Sequence, residues 1–217
     1  MGSSRKVRYD VHPGVAMMVK WVETLGEKTG RTLDEWTAYI RKNGPKDEAA
    51  VRVWLKEKHV LGTNSSWWLA ERAFAKDPSM MDDDPATYLA LAPEYVTNQY
   101  SGKRAVLKPI FDRLYEMARA LGADVKVCPC KTIVPFYREN VFAMIKPATN
   151  TRVDLGMCLT PLMKAGKRVP ARLIDTGGFA KKDRITHRVP LSSVEDIDDV
   201  VGDWLRRAYD LAAPKSQ

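Results

Sequence analysis

Histidine and cysteine are scarce in this chain, with three of each in 217 residues. An odd count of Cys128, Cys130 and Cys158 cannot complete a disulfide framework, and a chain this long can build its core without one. Cys128-Pro129-Cys130 is too tightly spaced for the usual zinc pair, and completing a set of four would need Cys158 and His187. No metal or cofactor is therefore assigned. His12, His59 and His187 fall in no zinc-protease, nucleophile-elbow or kinase pattern. Asp124-Val125-Lys126 and Asp154 supply strand carboxylates, but no Glu-x-Lys accompanies them as a metal-dependent nuclease would need. Thr176-Gly177-Gly178-Phe179 lacks the glycine spacing and the lysine of a phosphate loop and reads as a turn. No catalytic set is assigned, and whether the chain is an enzyme stays open with a lean towards no.

Long apolar runs are missing too. The longest, Val15 to Val19, Tyr88 to Ala92 and Val141 to Ile145, are five residues each, against the roughly 20 of a membrane span. No apolar core follows the basic residues of Met1-Gly2-Ser3-Ser4-Arg5-Lys6, and Lys6 stands where a myristoylation motif needs Ser or Thr. A cytoplasmic protein with no membrane partner is the expectation.

Positive charge is what the chain has in excess, and it is unevenly placed. The formal net charge is +8. Between Asp124 and Ser193 stand thirteen basic and five acidic residues, so this stretch carries the whole excess and the remainder is neutral. Clustered cations attract polyanions; lysine and arginine on a sheet also keep its edges from pairing with other chains.

Apolar periodicity divides the chain. Helical spacing runs from Val15 to Leu25 and is broken by Gly26 and Gly30. Thr32 and Glu35 form a capping box for a second helix with Leu33, Trp36 and Ile40 on its stripe. Asp47 caps a third, and Ser65 or Ser66 a fourth. His59, at the end of the third, suits a helix C-terminus. Five of the six tryptophans lie here, at least three of them expected in a core; adjacent Trp67 and Trp68 cannot both face it. Asp77 to Asp84 reads as a linker, which sets the domains at 1–78, a helical bundle, and 85–217, an α+β domain.

Beyond the linker, Pro85 starts a helix capped by Asp84, and Pro93 starts or kinks a further turn. A helical stripe from Leu107 to Leu121 stops at Gly122. Strands are expected at Val125–Cys128, Ile133–Arg138, Val141–Ile145, Arg152–Cys158 and Thr186–Leu191, joined as an antiparallel meander. Ser192 and Glu195 form a capping box before the last helix, whose stripe runs from Ile197 to Leu211. The fold class is α+β: an N-terminal helical bundle, then an antiparallel meander sheet flanked by helices.

At Gly30-Arg31-Thr32-Leu33-Asp34-Glu35-Trp36 and from Val53 to Gly62 the chain resembles a small bacterial helical module of unknown function. Lys131 to Tyr137, Phe142-Ala143-Met144-Ile145 and Val153-Asp154-Leu155-Gly156 resemble a second uncharacterised module that often follows it. Through Phe142-Ala143 and the helix after Val194, the second half is distantly similar to MmcQ/YjbR-like proteins. That resemblance implies a meander followed by a long C-terminal helix, and DNA binding has been proposed for those proteins.

The expected function is a non-enzymatic binding protein whose sheet domain contacts a polyanion, nucleic acid first. Lys131, Arg138, Lys146 and Arg152 would approach phosphates from strands, and Lys181, Lys182, Arg184 and Arg188 from the loop and strand after Gly178. The alternatives are a small-molecule site or enzyme in an interdomain cleft, with Cys128, Cys130, Tyr137 and Asp154 as its polar groups, or a protein-interaction module.

Overall fold

The computed structural model describes residues 8–76 and 84–214. Nearly all of the expected linker, Asp77 to Asp84, lies outside them. Contacts divide the chain into a helical unit, Pro13–Leu91, and a sheet unit built from residues up to His12 together with Ala92–Gln217. The sequence-based boundary put the first twelve residues with the helices. The described part of that segment, from Arg8, is held in the sheet unit instead: Asp10 N–H donates to the Val127 carbonyl at 2.8 Å, and the Asp10 carboxylate accepts from Val127 N–H at 2.9 Å.

In the helical unit, α1 (Pro13–Thr29) runs straight through Gly26 and ends where Gly30 turns left-handed at φ 75°. Gly26 costs the helix some propensity, but only Gly30 needs the glycine backbone. α2 (Leu33–Asn43) carries the expected capping box, with Glu35 N–H donating to Thr32 Oγ1 and Thr32 N–H donating to the Glu35 carboxylate. α3 (Glu48–His59) is capped by Asp47, as expected. α4 (Thr63–Phe74) starts earlier than expected, after Gly62. Ser65 and Ser66 are already helical, so Ser65 accepts from Trp21 Nε1 and Ser66 donates back to the Leu61 carbonyl.

The core of this unit joins Leu25, Trp36, Ile40, Val51, Leu55, Leu69 and Ala70, with Trp21 and Trp54 packed against it. Trp68 meets Trp21 edge to face at 5.0 Å, while Trp67 is 52% exposed under the Arg52 guanidinium. The 100° between neighbouring helical side chains separates them as expected.

α5 (Pro85–Gln99) is one helix that keeps Pro93 inside it, so the two expected pieces are continuous. The Asp84 carboxylate caps it through Ala86 and Thr87 N–H. A 3-10 turn, Gly102–Leu107, leads into α6 (Lys108–Arg119). The sheet then comprises β1 (Lys126–Val127), β2 (Val134–Tyr137), β3 (Val141–Pro147), β4 (Val153–Met157), β5 (Ile174–Asp175) and β6 (His187–Leu191). Short helices α7 (Thr160–Lys164) and α8 (Gly178–Lys181) flank β5, and α9 (Asp199–Leu211) closes the described chain.

All pairings are antiparallel, in the order β1-β2-β3-β4-β6-β5. The meander holds from β1 to β4 and then breaks, because the two-residue β5 takes the edge and leaves the place beside β4 to β6. Period-two alternation puts Ile145, Leu155 and Val189 in register on one face. That face shares a core with Phe111 and Leu114 of α6 and Val201 and Leu205 of α9. The opposite face carries Lys146 beside Asp154 and Gly156 beside Arg188.

Two expected caps differ in this unit. α9 is capped by Asp198, whose carboxylate accepts from Val201 N–H, so it begins after Glu195. Ser192 and Ser193 donate their N–H groups to Asp196 in a separate turn. α6 ends before Gly122, and Gly122 has another use: a Cβ there would lie 2.1 Å from Tyr209 Oη.

Candidate functional site

The cations of the basic stretch fall into two classes. On the exposed face of the sheet, Asp154 Oδ1 accepts from Arg152 Nε at 2.9 Å and from Arg188 Nη1 at 3.2 Å. The Asp154 side chain is only 15% exposed, so these two guanidinium groups share one sheltered counter-charge. Arg138 donates to the Asp124 carboxylate at 2.7 Å and stacks on the Tyr209 ring, 4.2 Å from its centroid. Arg172 donates to the Asp196 carbonyl and pairs with Asp198 at 3.3 Å. Each of these arginines is held by a carboxylate within the protein, Arg152 and Arg188 by the same one.

The second class flanks the edge strand β5 along the chain. Lys164, Lys167 and Arg168 precede it and Lys181, Lys182 and Arg184 follow it, all exposed and none paired with a carboxylate among the described residues. Lys131 and Lys146 are exposed elsewhere on the sheet unit.

The loop after β5 is knitted in place. Thr176 Oγ1 lies 3.0 Å from both the Ile185 and Thr186 carbonyls and accepts from Gly178 N–H at 3.2 Å. Asp175 accepts from Gly177 N–H, and Asp183 N–H donates to the Gly178 carbonyl at 2.8 Å. A Cβ at Gly178 would stand 2.2 Å from the Ile185 carbonyl oxygen, so only glycine allows this closeness. Lys182 itself holds a left-handed φ of 59°. The turn read at Thr176-Gly177-Gly178-Phe179 thus presents Lys181, Lys182 and Arg184 on a fixed backbone.

Of the polar groups assigned to a pocket, three cluster and one does not. Cys128 is buried, its Sγ facing the Val11 carbonyl at 3.6 Å, and Cys130 Sγ faces the Cys128 carbonyl at 3.7 Å. Burial, with the Asp10 carboxylate next in effect, pushes the Cys128 thiol up to about 12. Burial, followed by the two nearby sulfurs, also pushes the Tyr137 phenol up to about 12, and its Oη lies 3.0 Å from His12 Nε2. Asp154 stays with its arginines. His187 is buried, which lowers its pKa below the ordinary histidine value, and its Nδ1 lies 3.0 Å from Thr186 Oγ1. Among the described residues no three His, Cys, Asp or Glu side chains gather as a metal site would require, and no helix is long and apolar enough to cross a membrane.

Reasoning from charge density found the basic stretch but could not tell paired from unpaired cations. Lys164, Lys167 and Arg168 were visible only as part of the count. His12 carried no signal, because its partner Tyr137 is 125 positions away.

No curated protein and no solved structure matches the chain. The family described as domain of unknown function DUF5655 matches residues 96–212, from the second half of α5 to the end of α9. That match takes in every strand and more than half of the residues, and the chain belongs to the DUF5655 family.

Proposed function

We propose that this is a non-enzymatic binding protein whose sheet unit docks a nucleic-acid backbone along the β5 edge. One observation carries the reading: among the described residues six exposed cations without carboxylate partners flank β5 in sequence, three of them, Lys181, Lys182 and Arg184, on a loop whose backbone is already fixed, while Arg138 is held by Asp124 and Arg152 and Arg188 are held by Asp154. A preset loop loses little conformational freedom on binding, and unpaired cations release phosphate counterions without first breaking an ion pair. The likeness of Phe142-Ala143 and the last helix to MmcQ/YjbR-like proteins points the same way. Contacts of this kind position a backbone and read no base. The cytoplasm, where nucleic acid is at hand, is the compartment this reading takes.

The test is fluorescence anisotropy with labelled duplex DNA, single-stranded DNA and RNA at about 50 and 200 mM salt, with heparin as the competing polyanion. Binding should weaken steeply with salt. Replacing Lys181, Lys182 and Arg184 together by Ala should weaken it and reduce the log–log salt slope by nearly three. Absence of binding at the lower salt would overturn the proposal, and an unchanged slope would remove the loop from it.

A further inference from the structure

A separate site lies in the helical unit, which the polyanion reading leaves without a role. The ends of α1 and α3 border an open pocket of about 260 Å³, lined by Lys28, Thr29, Arg31, Trp36, His59 and Val60. It is small beside the cavities that take drug-sized ligands, and suits an ion or the charged end of a metabolite.

The wall is organised around Arg31. Its guanidinium carbon lies 5.0 Å from the Trp36 ring centroid and 4.5 Å from that of Tyr39. Trp36 is fixed in turn by Nε1 donating to Thr29 Oγ1 at 2.7 Å, and Tyr39 stacks on Trp54 at 5.7 Å. The His59 ring meets Trp36, Tyr39 and Trp54 edge to face at 5.2, 5.4 and 4.7 Å. A guanidinium lying over two mutually perpendicular rings is held by cation–π attraction, which leaves its N–H donors for a planar or tetrahedral oxyanion.

Among the described residues those donors have no acceptor. Neither Arg31 nor Lys28 forms an ion pair with a carboxylate among the described residues; the Glu35 carboxylate accepts from Thr32 N–H and Oγ1 and acts on Arg31 only from beyond ion-pair distance. His59 Nε2 is buried with no hydrogen-bond partner. Val60 adds strain: it holds a left-handed φ of 54° while 87% exposed, a conformation that disfavours a β-branched residue and that no packing around it rewards.

We infer that this pocket binds a small dianionic oxyanion of the phosphate-monoester class, with Arg31 and Lys28 supplying two matching charges and His59 the third polar group of the wall. Two permanent cations in so small a space match a dianion. A phosphodiester or a carboxylate brings a single charge and matches it less well.

The experiment is an NMR titration of the full chain, following the ring resonances of His59, assigned by comparison with His59→Gln. The probes are inorganic phosphate, phenyl phosphate, dimethyl phosphate and acetate. Saturable shifts are expected with the first two only. Lys28→Gln, at an exposed position, and Arg31→Lys, which keeps the charge but loses the planar fork, should each weaken phosphate by about tenfold. The Lys181, Lys182, Arg184 triple variant should bind phosphate here unchanged, so the two sites fail independently. No shift of His59 with phosphate would overturn the inference. So would equal shifts with acetate, or full affinity in both variants, and Arg31 would then be the resident cation of its aromatic cluster.

Discussion

Tyr209 Oη donates a 2.6 Å hydrogen bond to Asp124, tying the last helix to the turn before the first strand across 85 positions of sequence. The bond fits because Gly122 has no side chain: a Cβ there would meet Tyr209 Oη at 2.1 Å and Cζ at 2.9 Å. Gly122→Ala should therefore cost about 2 kcal/mol by overpacking, and Tyr209→Phe about 1 kcal/mol for the lost bond. The two should be non-additive in urea unfolding, since Tyr209→Phe removes the nearest clashing atom. Strict additivity would mean that Gly122 is not reserved for this ring.

The division of cations into paired and unpaired makes a direct comparison available. Replacing Arg152 by Ala should leave the salt slope of nucleic-acid binding unchanged, because its guanidinium is held on Asp154 and is not presented to a phosphate. Replacing Asp154 by Asn releases both Arg152 and Arg188, and should tighten binding at low salt while lowering the melting temperature. Anisotropy and thermal unfolding on the same two variants check both statements.

Where the chemistry is local, the sequence was a good guide. The Thr32 and Glu35 capping box, the Asp47 and Asp84 caps and the alternating strands need only neighbours within a few residues. What it could not carry depends on distant partners. Ser192 with Glu195 has the same spacing as a capping box, yet Asp196 takes the Ser192 N–H and Asp198 caps α9 through Val201 N–H, so the helix starts later. β5 is two exposed residues with no pattern of its own, and only the β6 ladder defines it. The unpaired cations of the β5 edge could be recognised only once the carboxylates serving the others had been located.

Cys128-Pro129-Cys130 invites redox chemistry, and its surroundings argue against it at the first sulfur. A thiol raised to about 12 holds almost no thiolate at mild alkaline pH, and the thiolate is the nucleophile. Iodoacetamide at about pH 8 should therefore label Cys130 and Cys158, both half-buried, well before Cys128. Peptide mass spectrometry of a time course measures the order, and early labelling of Cys128 would contradict the burial described for it.

The backbone at Val60 offers a stability gain. Glycine carries no steric penalty at φ 54°, and the Val60 side chain, 87% exposed, has little contact to lose. Val60→Gly should raise stability by about 1 kcal/mol, seen as a higher melting temperature. If the strain instead holds the pocket wall in its binding shape, the more stable variant should bind phosphate less well.

Asp10 bonds to Val127, 117 positions later, and the whole helical unit is encoded between them. During synthesis the helices therefore leave the ribosome as a complete set while the residues before them still wait for a partner. Until β1 is made, Asp10 has no strand to bond. A ribosome paused between α4 and α6 would thus have released the helical core while Arg8 and Asp10 still wait for Tyr115 and Arg119 of α6 and for Val127 of β1.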